Sequence, residues 1–559
     1  MTPVSCTEIS TTFSKTPVEQ PWQRKKIRAP VQDESLIVDP SVTAVGDLLK
    51  QNCEIFSETS VSIAAEPFAQ LREQCRREIL EAAVDYTQSL EGKSELPTTK
   101  HLSSLPLVVT GHQPEMFHPG VWVKNFLAGK LAEKAGGVAL NLIIDNDNLT
   151  TTALRVPTGP RNSPSVEWIA FDDDHANEPW EDARLNTTDI FSTFAARIAN
   201  SMKPWSISPL VSRMWKSCAL ASRRFPLLRD LLTVGRHFLE RDWGLDILEL
   251  PLSHLCETAT FRKFTARILL DAERFRLIHN RILEEYRRVN RIRSQSHPVP
   301  ELKIEDRRIE TPFWIWKKGE IDRRPLYVIR NNGRLVLSDK HRVLISTTLD
   351  ENNEFSQIVD VLKQLSQEGF RIRTRALTTT MFSRLFLADL FVHGLGGAKY
   401  DEMTDRLIVR FFGMTAPKFV TTTATFHLLP GNDESVTQQD IRKIKQELRR
   451  LHYHPDLFLA HKTESAEILI REKKRLIAEQ NDKTLRTSEN RARYLRLKEI
   501  RNELAIDAET TRLELQRRLE QQQQKLESDR FLSDREFSFV LFPEDKLKPF
   551  MQTLSTNSS

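Results

Sequence analysis

Leu105-Pro-Leu-Val-Val-Thr-Gly-His-Gln-Pro-Glu-Met-Phe117 holds the key to the architecture. It opens with Leu105–Thr110, a short, apolar, β-branched run that reads as a strand. The run breaks at Gly111-His112-Gln113-Pro114, and helical spacing follows from near Val121 to Lys134. Gly136-Gly137 stops that helix, as helix C-termini prefer. A second apolar strand, Ala139–Ile144, comes next. Strand, helix and strand within about 40 residues make the repeating unit of a parallel sheet. Handedness lays the helix over one sheet face. The fold class expected is α/β, with a Rossmann-like parallel-sheet core.

Upstream, residues 1–45 are rich in Ser, Thr, Pro and charge and read as a mobile tail. Residues 60–92 read as a helix with Leu71, Cys75, Ile79, Leu80 and Ala83 on one face. Downstream, 180–300 is mainly helical, with Phe275, Ile278, Ile282 and Tyr286 on one face of its last helix. After His297-Pro-Val-Pro300 three short strand-like runs predict a small β-rich insertion. A helix over 356–369 and an α/β stretch over 376–430, with a strand at Lys418–Thr423, complete the core. Residues 436–530 are nearly free of Gly and Pro. Leu504, Ala508, Thr511, Leu515, Gln522 and Leu526 there approximate an a/d seam. That seam is weak and predicts a helical hairpin more readily than a long two-chain coiled coil. The expected organisation is a tail over 1–45, a core with helical and β insertions over 46–430, a coiled-coil-like helical arm over 431–535, and a return segment over 536–559 that begins with Phe537–Phe542.

The chain has 559 residues, more than one ordinary domain, and its 39% hydrophobic content supplies a sizeable core. Only 18 glycines argue against an all-β architecture. A net charge of +5, from 81 basic against 76 acidic residues, gives no global case for a nucleic-acid or membrane partner. Arg287, Arg288, Arg291 and Arg293 read as a solvated helix face. The five cysteines form no CxxC pair, so neither a zinc site nor a disulfide framework is expected, and His452 and His454 read as surface residues rather than metal ligands. The polar N-terminus lacks the apolar region of a secretory signal, and the expected compartment is the cytoplasm.

Three segments carry candidate chemistry. In the first, Thr110, Gly111, His112 and Gln113 end a parallel strand, where a tight turn into a helix would present free amides to phosphate or carboxylate; an ordinary β–α turn reads the same way. In the second, Asp145-Asn-Asp-Asn148 ends the next strand. Its two carboxylates could share a cleft, hold an amine or act as base; a polar cap or loop is the alternative. In the third, Arg384 and Asp389 punctuate an apolar helix. A loop with His393, Gly394, Gly396, Gly397, Lys399 and Tyr400 follows, where glycines allow a ligand close to the backbone; a plain helix terminus is the alternative.

Taken together, the three segments resemble the cysteine-adding enzyme of bacillithiol biosynthesis. That family has T-G-Q-Q, an aromatic and a helix bearing Lys, matched here by Thr110, Gly111, Gln113, Phe117 and Lys124. Its acidic D-H-D after an apolar strand is matched by Asp145, Asn146 and Asp147. Its L-R-P…Q-D segment, G-G-P loop and Tyr are matched by Arg384, Asp389, Gly394, Gly396, Gly397 and Tyr400. The chain departs from the pattern at His112, at Asn146 and at the missing loop proline. The family's core is similar to class I nucleotidyltransferases.

The resemblance implies a ligase joining an amino acid, cysteine in the family, to the amine of a sugar-derived acceptor. Thr110, Gly111, His112 and Gln113 would then line the acceptor or phosphate pocket. Asp145 and Asp147, with His112, would carry the catalysis. Lys124, Arg384, Asp389, His393, Lys399 and Tyr400 would complete the binding site. ATP or another nucleotide is the cofactor class implied, with no metal. The long amphipathic arm predicts a homodimer. The rival expectation is a diverged, non-catalytic ligand-binding or assembly protein that acts through its arm.

Overall fold

The computed structural model describes residues 19, 21–22, 27–63, 65–92, 99–160, 163–175, 177–331, 333–428, 436–459, 461–479 and 487–554. Of the segment read as a tail, residues 1–18, 20 and 23–26 lie outside them. Two compact units divide the chain. Pro157–Val166 and His427–Asp534 form the second, and the remainder forms the first.

The first unit is mixed α/β. Its main sheet has six strands: β1 (Ser35–Asp39), β2 (Leu107–His112), β3 (Val138–Ile143), β4 (Leu248–Pro251), β10 (Leu390–Gly394) and β11 (Phe419–Thr425). Their order across the sheet is β1-β11-β10-β2-β3-β4. All neighbours are parallel except β1, which runs antiparallel along β11. The chain thus winds outward from β2 through β3 to β4. It then returns to the other side of β2 to lay down β10 and β11, and its winding reverses between β2 and β10.

Strand β1 corrects the reading of 1–45 as a tail. Leu36-Ile-Val38 is a β-branched run too short to stand out among polar neighbours, but an edge position needs only one paired side.

Between β2 and β3 lies α3 (Pro119–Lys134), with Trp122, Val123, Phe126, Leu127 and Leu131 all buried. A helix buried on so many sides needs cover on both faces. The sheet covers one. The segment after 535 covers the other, where the Phe539 ring lies 4.1 Å from Trp122 and its amide donates to Phe117 O at 2.9 Å.

The β-rich insertion is a six-stranded antiparallel sheet: β5 (Arg308–Lys317), β6 (Arg324–Asn331), β7 (Arg334–Ser338), β8 (Val343–Thr348) and β9 (Phe370–Thr374) lie in the order β8-β7-β6-β5-β9, and a two-residue strand, Ile304–Glu305, pairs with the start of β5. From β9 the chain enters a short helix, Ala376–Phe382, and a π-helical turn, Ser383–Leu387, before β10. Helix α8 (Leu395–Leu407) follows β10 directly.

The second unit has four helices among its described residues: Gln438–Tyr453, Glu464–Ala478, Thr487–Asp507 and Glu509–Leu532. The sequence predicts a hairpin of two. The first break falls at His454-Pro455, where proline cannot continue a helix. Leu504, Ala508 and Leu515 of the expected seam are buried, split between two small apolar clusters. Among the described residues no helix is long and apolar enough to cross a membrane.

Candidate functional site

Strands β2 and β10 pair only as far as Val109 and Phe391. One step on, the fully buried Thr110 hydroxyl donates to Val392 O at 2.9 Å and makes the last link before the strands part. Lys124, reaching over from α3, fills the gap. Its Nζ donates to Gly111 O at 2.7 Å, and its stem passes so near Gly394 that a Cβ there would stand 3.4 Å from Cδ. Gly111 has its own reason to be glycine, because an added Cβ would meet Leu142 O at 2.8 Å. In open parallel sheets, ligands bind in the crevice outside the strand ends where the winding reverses. That crevice is the candidate site.

Its mouth gathers residues far apart in sequence. Gln113 Nε2 donates to Asp147 Oδ2 at 2.8 Å. Asp147 Oδ1 accepts from Arg323 at 2.9 Å, reached from the β5–β6 hairpin. Arg323 also lies over Trp314, 4.7 Å from the ring centroid. Burial in the cleft, then the charge of Asp147, holds the Glu115 carboxyl above its ordinary range, although the side chain keeps access to solvent. Burial first, then Asp401 and Asp147, holds the Tyr400 phenol above its own. The His112 ring packs edge-on to Phe117, with centroids 5.0 Å apart. Burial, with the neighbouring Lys124 ammonium, pushes its imidazole down to about 3, so it is neutral at physiological pH. A neutral imidazole there can offer one hydrogen bond but no proton from a cationic form.

Below the mouth lie charges that are fully committed. Arg384 is 1% exposed and donates to Asp401 and Asp405, both at 2.5 Å, and to Pro417 O. Asp401 also holds His393 Nε2 at 2.8 Å. Burial opposes ionisation of Asp401, but Arg384 and His393 outweigh it and keep the carboxyl well below its usual range. Gly397 makes room for this ring, since a Cβ would stand 2.9 Å from His393 Nδ1. Asp389 accepts from Arg72 at 2.7 Å, Arg76 at 2.8 Å and the Leu107 amide at 2.7 Å. Asp145 accepts from Arg229 and from both the amide and hydroxyl of Ser253, the latter two at 2.9 and 2.6 Å.

The structure therefore brings Gln113, Asp147 and Arg323 together at the mouth, with Tyr400 near enough to feel the Asp147 charge, sets Lys124 and Gly394 in the crevice, and buries Arg384, Asp389, His393 and Asp145 in ion pairs beneath. Asp145 and Asp147 do not share a cleft. The residues between them turn the chain, and the Asn146 amide donates to Thr374 O at 2.7 Å. Two further expectations change. Thr110 and Gly111 lie within β2, whose pairing with β3 extends to His112, so no tight turn leads from Gly111 into the helix, which begins at Pro119, two residues before the expected Val121. Pro114 and Pro119 keep the residues before them out of it, because a residue before proline avoids the helical region. The presumed loop 393–400 is a strand end and the first turns of α8, so Gly396, Gly397, Lys399 and Tyr400 are helical. Glu115 and Arg323 were not singled out. Glu115 lies inside the decisive stretch, but nothing marks Arg323 in the Asp322-Arg-Arg-Pro325 turn.

A second buried cluster flanks α3. His237, Glu240 and Glu249 place ligand-type atoms within 4.8 Å of one another. Arg236 donates to both carboxylates, and Trp122 and Asn125 donate to Glu240 at 2.6 and 2.8 Å. The guanidinium thus supplies the positive charge a metal would bring, and the cluster reads as a structural network.

Lys124 yields a pH prediction. Burial alone pushes its ammonium down to about 7 from the ordinary 10.5. From about 7 to 10.5 the unfolded chain holds a proton that the folded one lacks, so this residue makes stability rise with pH, and the full penalty applies below 7. Lys124→Met removes that penalty and loses one hydrogen bond. The variant should be more stable than wild type by a few kcal/mol near about pH 6, with the gap closing by about pH 10. Urea titrations across that range check this; a variant weaker at the acid end would show the amine is not held in a desolvated state.

No family model matches the chain, and no curated protein matches it either.

Proposed function

We propose that this protein is an amide-forming enzyme joining an amino acid, cysteine in the first instance, to the amine of a small sugar-derived acceptor. The site is the mouth of the β2–β10 crevice in a Rossmann-like core. The observation that carries this reading is the hydrogen bond between Gln113 and Asp147, from two separate segments, where the winding reverses. These are two of the segments on which the resemblance to the cysteine-adding family rests.

Each group at the mouth has work suited to it. Glu115 and Asp147 would hold the acceptor's ammonium. Glu115, whose carboxyl is poised above its usual range, would take the proton that the amine must lose before it attacks a carboxyl carbon. Gln113 and Arg323 orient Asp147. Helix α8 starts at Gly394 without a side-chain cap, which leaves its first amides to a carboxylate or phosphate oxygen. A nucleotide such as ATP, when bound, would supply the activation of the carboxyl group. The test is to incubate the protein with glucosaminyl-malate or a related amino sugar and cysteine, with and without ATP, and to follow the conjugate by mass. Failure to form product with any amine acceptor would defeat the proposal.

One observation favours a second reading, a binding or assembly protein without turnover. Two of the three acidic residues carried over from the family, Asp145 and Asp389, are consumed in buried ion pairs.

The second unit supports self-association in either reading. Tyr494, Leu495, Ile506 and Leu513 are large apolar residues left exposed on its helices. Sedimentation at micromolar concentration should give twice the 64.7 kDa chain mass. A monomer, or a dimer that persists after deletion of 465–525, would rule this surface out.

A further inference from the structure

Helix α8 has two working faces. Asp401 faces the buried ion pairs with Arg384 and His393. Lys399, Glu402 and Arg406 instead line a cavity of about 680 Å³, to which Gln113, Asp147 and His393 do not contribute. The far wall includes Tyr286, whose hydroxyl donates to Lys399 O at 2.5 Å, and Phe419. Trp22 closes one side, its ring edge-on to Tyr286 at 5.8 Å and 3.8 Å from the Arg406 guanidinium carbon. The volume exceeds what water alone would require and falls in the range of small-molecule sites.

The charges lining the cavity are unevenly matched. Glu19 neutralises Arg406, and Arg384 holds Asp405 from behind. Glu402 adds one negative charge beside Tyr286. Against it stand Arg28, Lys399 and Lys418, of which Lys418 lies close enough to Asp405 to favour its ionised form. Three aromatic rings and a net positive lining, Arg28, Lys399, Arg406 and Lys418 against Glu19, Glu402 and Asp405, around one space call for a complementary molecule.

We infer that this cavity is a second ligand site, which takes a small anion bearing a planar aromatic body. The ring of the ligand lies among Trp22, Tyr286 and Phe419, and its carboxylate, sulfonate or phosphate meets Lys399 and Lys418. Stacking and charge each contribute, so neither half of the ligand suffices alone.

The probe is phenyl phosphate, titrated calorimetrically into the full-length protein, with benzoate as the carboxylate arm and phenol and inorganic phosphate as half-ligands. Saturable binding of one molecule per chain is expected for phenyl phosphate or benzoate, with each half-ligand at least about tenfold weaker. The exposed pair Lys399→Glu and Lys418→Glu, and separately Trp22→Ala, should each weaken binding about tenfold or more, the lysine pair without shifting the melting curve. Asp147→Asn should leave it unchanged. Absence of saturable binding by both aromatic anions, or binding indifferent to both cavity variants, would overturn the inference. Loss of binding in Asp147→Asn would place the ligand in the crevice instead.

Discussion

Arg384→Met is expected to lower the unfolding free energy of the first unit by about 3–5 kcal/mol, the cost of leaving a buried charge without its partner. The guanidinium is 1% exposed and is shared by Asp401 and Asp405. Asp401 is itself fully buried, and without Arg384 the groups that bond it are His393, Thr380 and Thr404. The sign of the pH dependence follows. In wild type the Asp401 carboxyl titrates below its unfolded value, so its contribution is present above that value and is lost as pH falls through the folded one. In the variant burial prevails and the folded carboxyl titrates above its unfolded value. The penalty is then greatest near neutrality and relieved by acid, so the gap between the two proteins should narrow from about pH 7 towards pH 4. All nine tryptophans lie outside the second unit, so urea unfolding followed by tryptophan fluorescence reads the first unit alone. A loss under about 1 kcal/mol would mean that Asp401 finds water or another partner.

The second large effect separates two aspartates at the end of one strand. Asp147→Asn should lower turnover about 10²–10⁴-fold, the usual worth of a positioned proton-transfer or charge-holding group. Its side chain is 39% exposed, so stability should move by no more than about 0.5 kcal/mol. Asp145→Asn should do the opposite. That carboxylate is fully buried against Arg229, which keeps Asp230 at 3.2 Å as a second partner, and its loss should cost about 3 kcal/mol. Melting curves and initial rates on both variants check the contrast. Equal loss of stability in both would mean that Asp147 is structural as well.

Much of the sheet was legible because its central strands are short apolar runs bounded by glycine and proline. Leu107–Thr110 and Val138–Ile143 could hardly be anything else. Strand β10 was harder to see. Leu390-Phe-Val392 continues the apolar spacing of the helix at 376–387 with no breaker between, and periodicity alone cannot separate a buried strand from a buried helix. The sequence therefore reads as a loop where α8 begins. At the site, Gln113, Lys124, Asp147 and Tyr400 were found through short motifs. The motifs could not tell which acids are free and which are neutralised, because the neutralising groups come from elsewhere: Arg229 for Asp145, and Arg72 and Arg76 for Asp389. Arg323 is invisible for the same reason, since its role arises only when a hairpin from another sheet folds over the strand end.

The central claim, that the acceptor amine is held at the mouth of the β2–β10 crevice, is tested most directly by a crystal structure of the protein with an amino-sugar acceptor. The account predicts density for the acceptor with its nitrogen within hydrogen-bond distance of Glu115 or Asp147, and a ring or carboxylate near Arg323 and the start of α8. An acceptor bound beside the outer face of α8, or one absent from the crevice at saturating concentration, would contradict it.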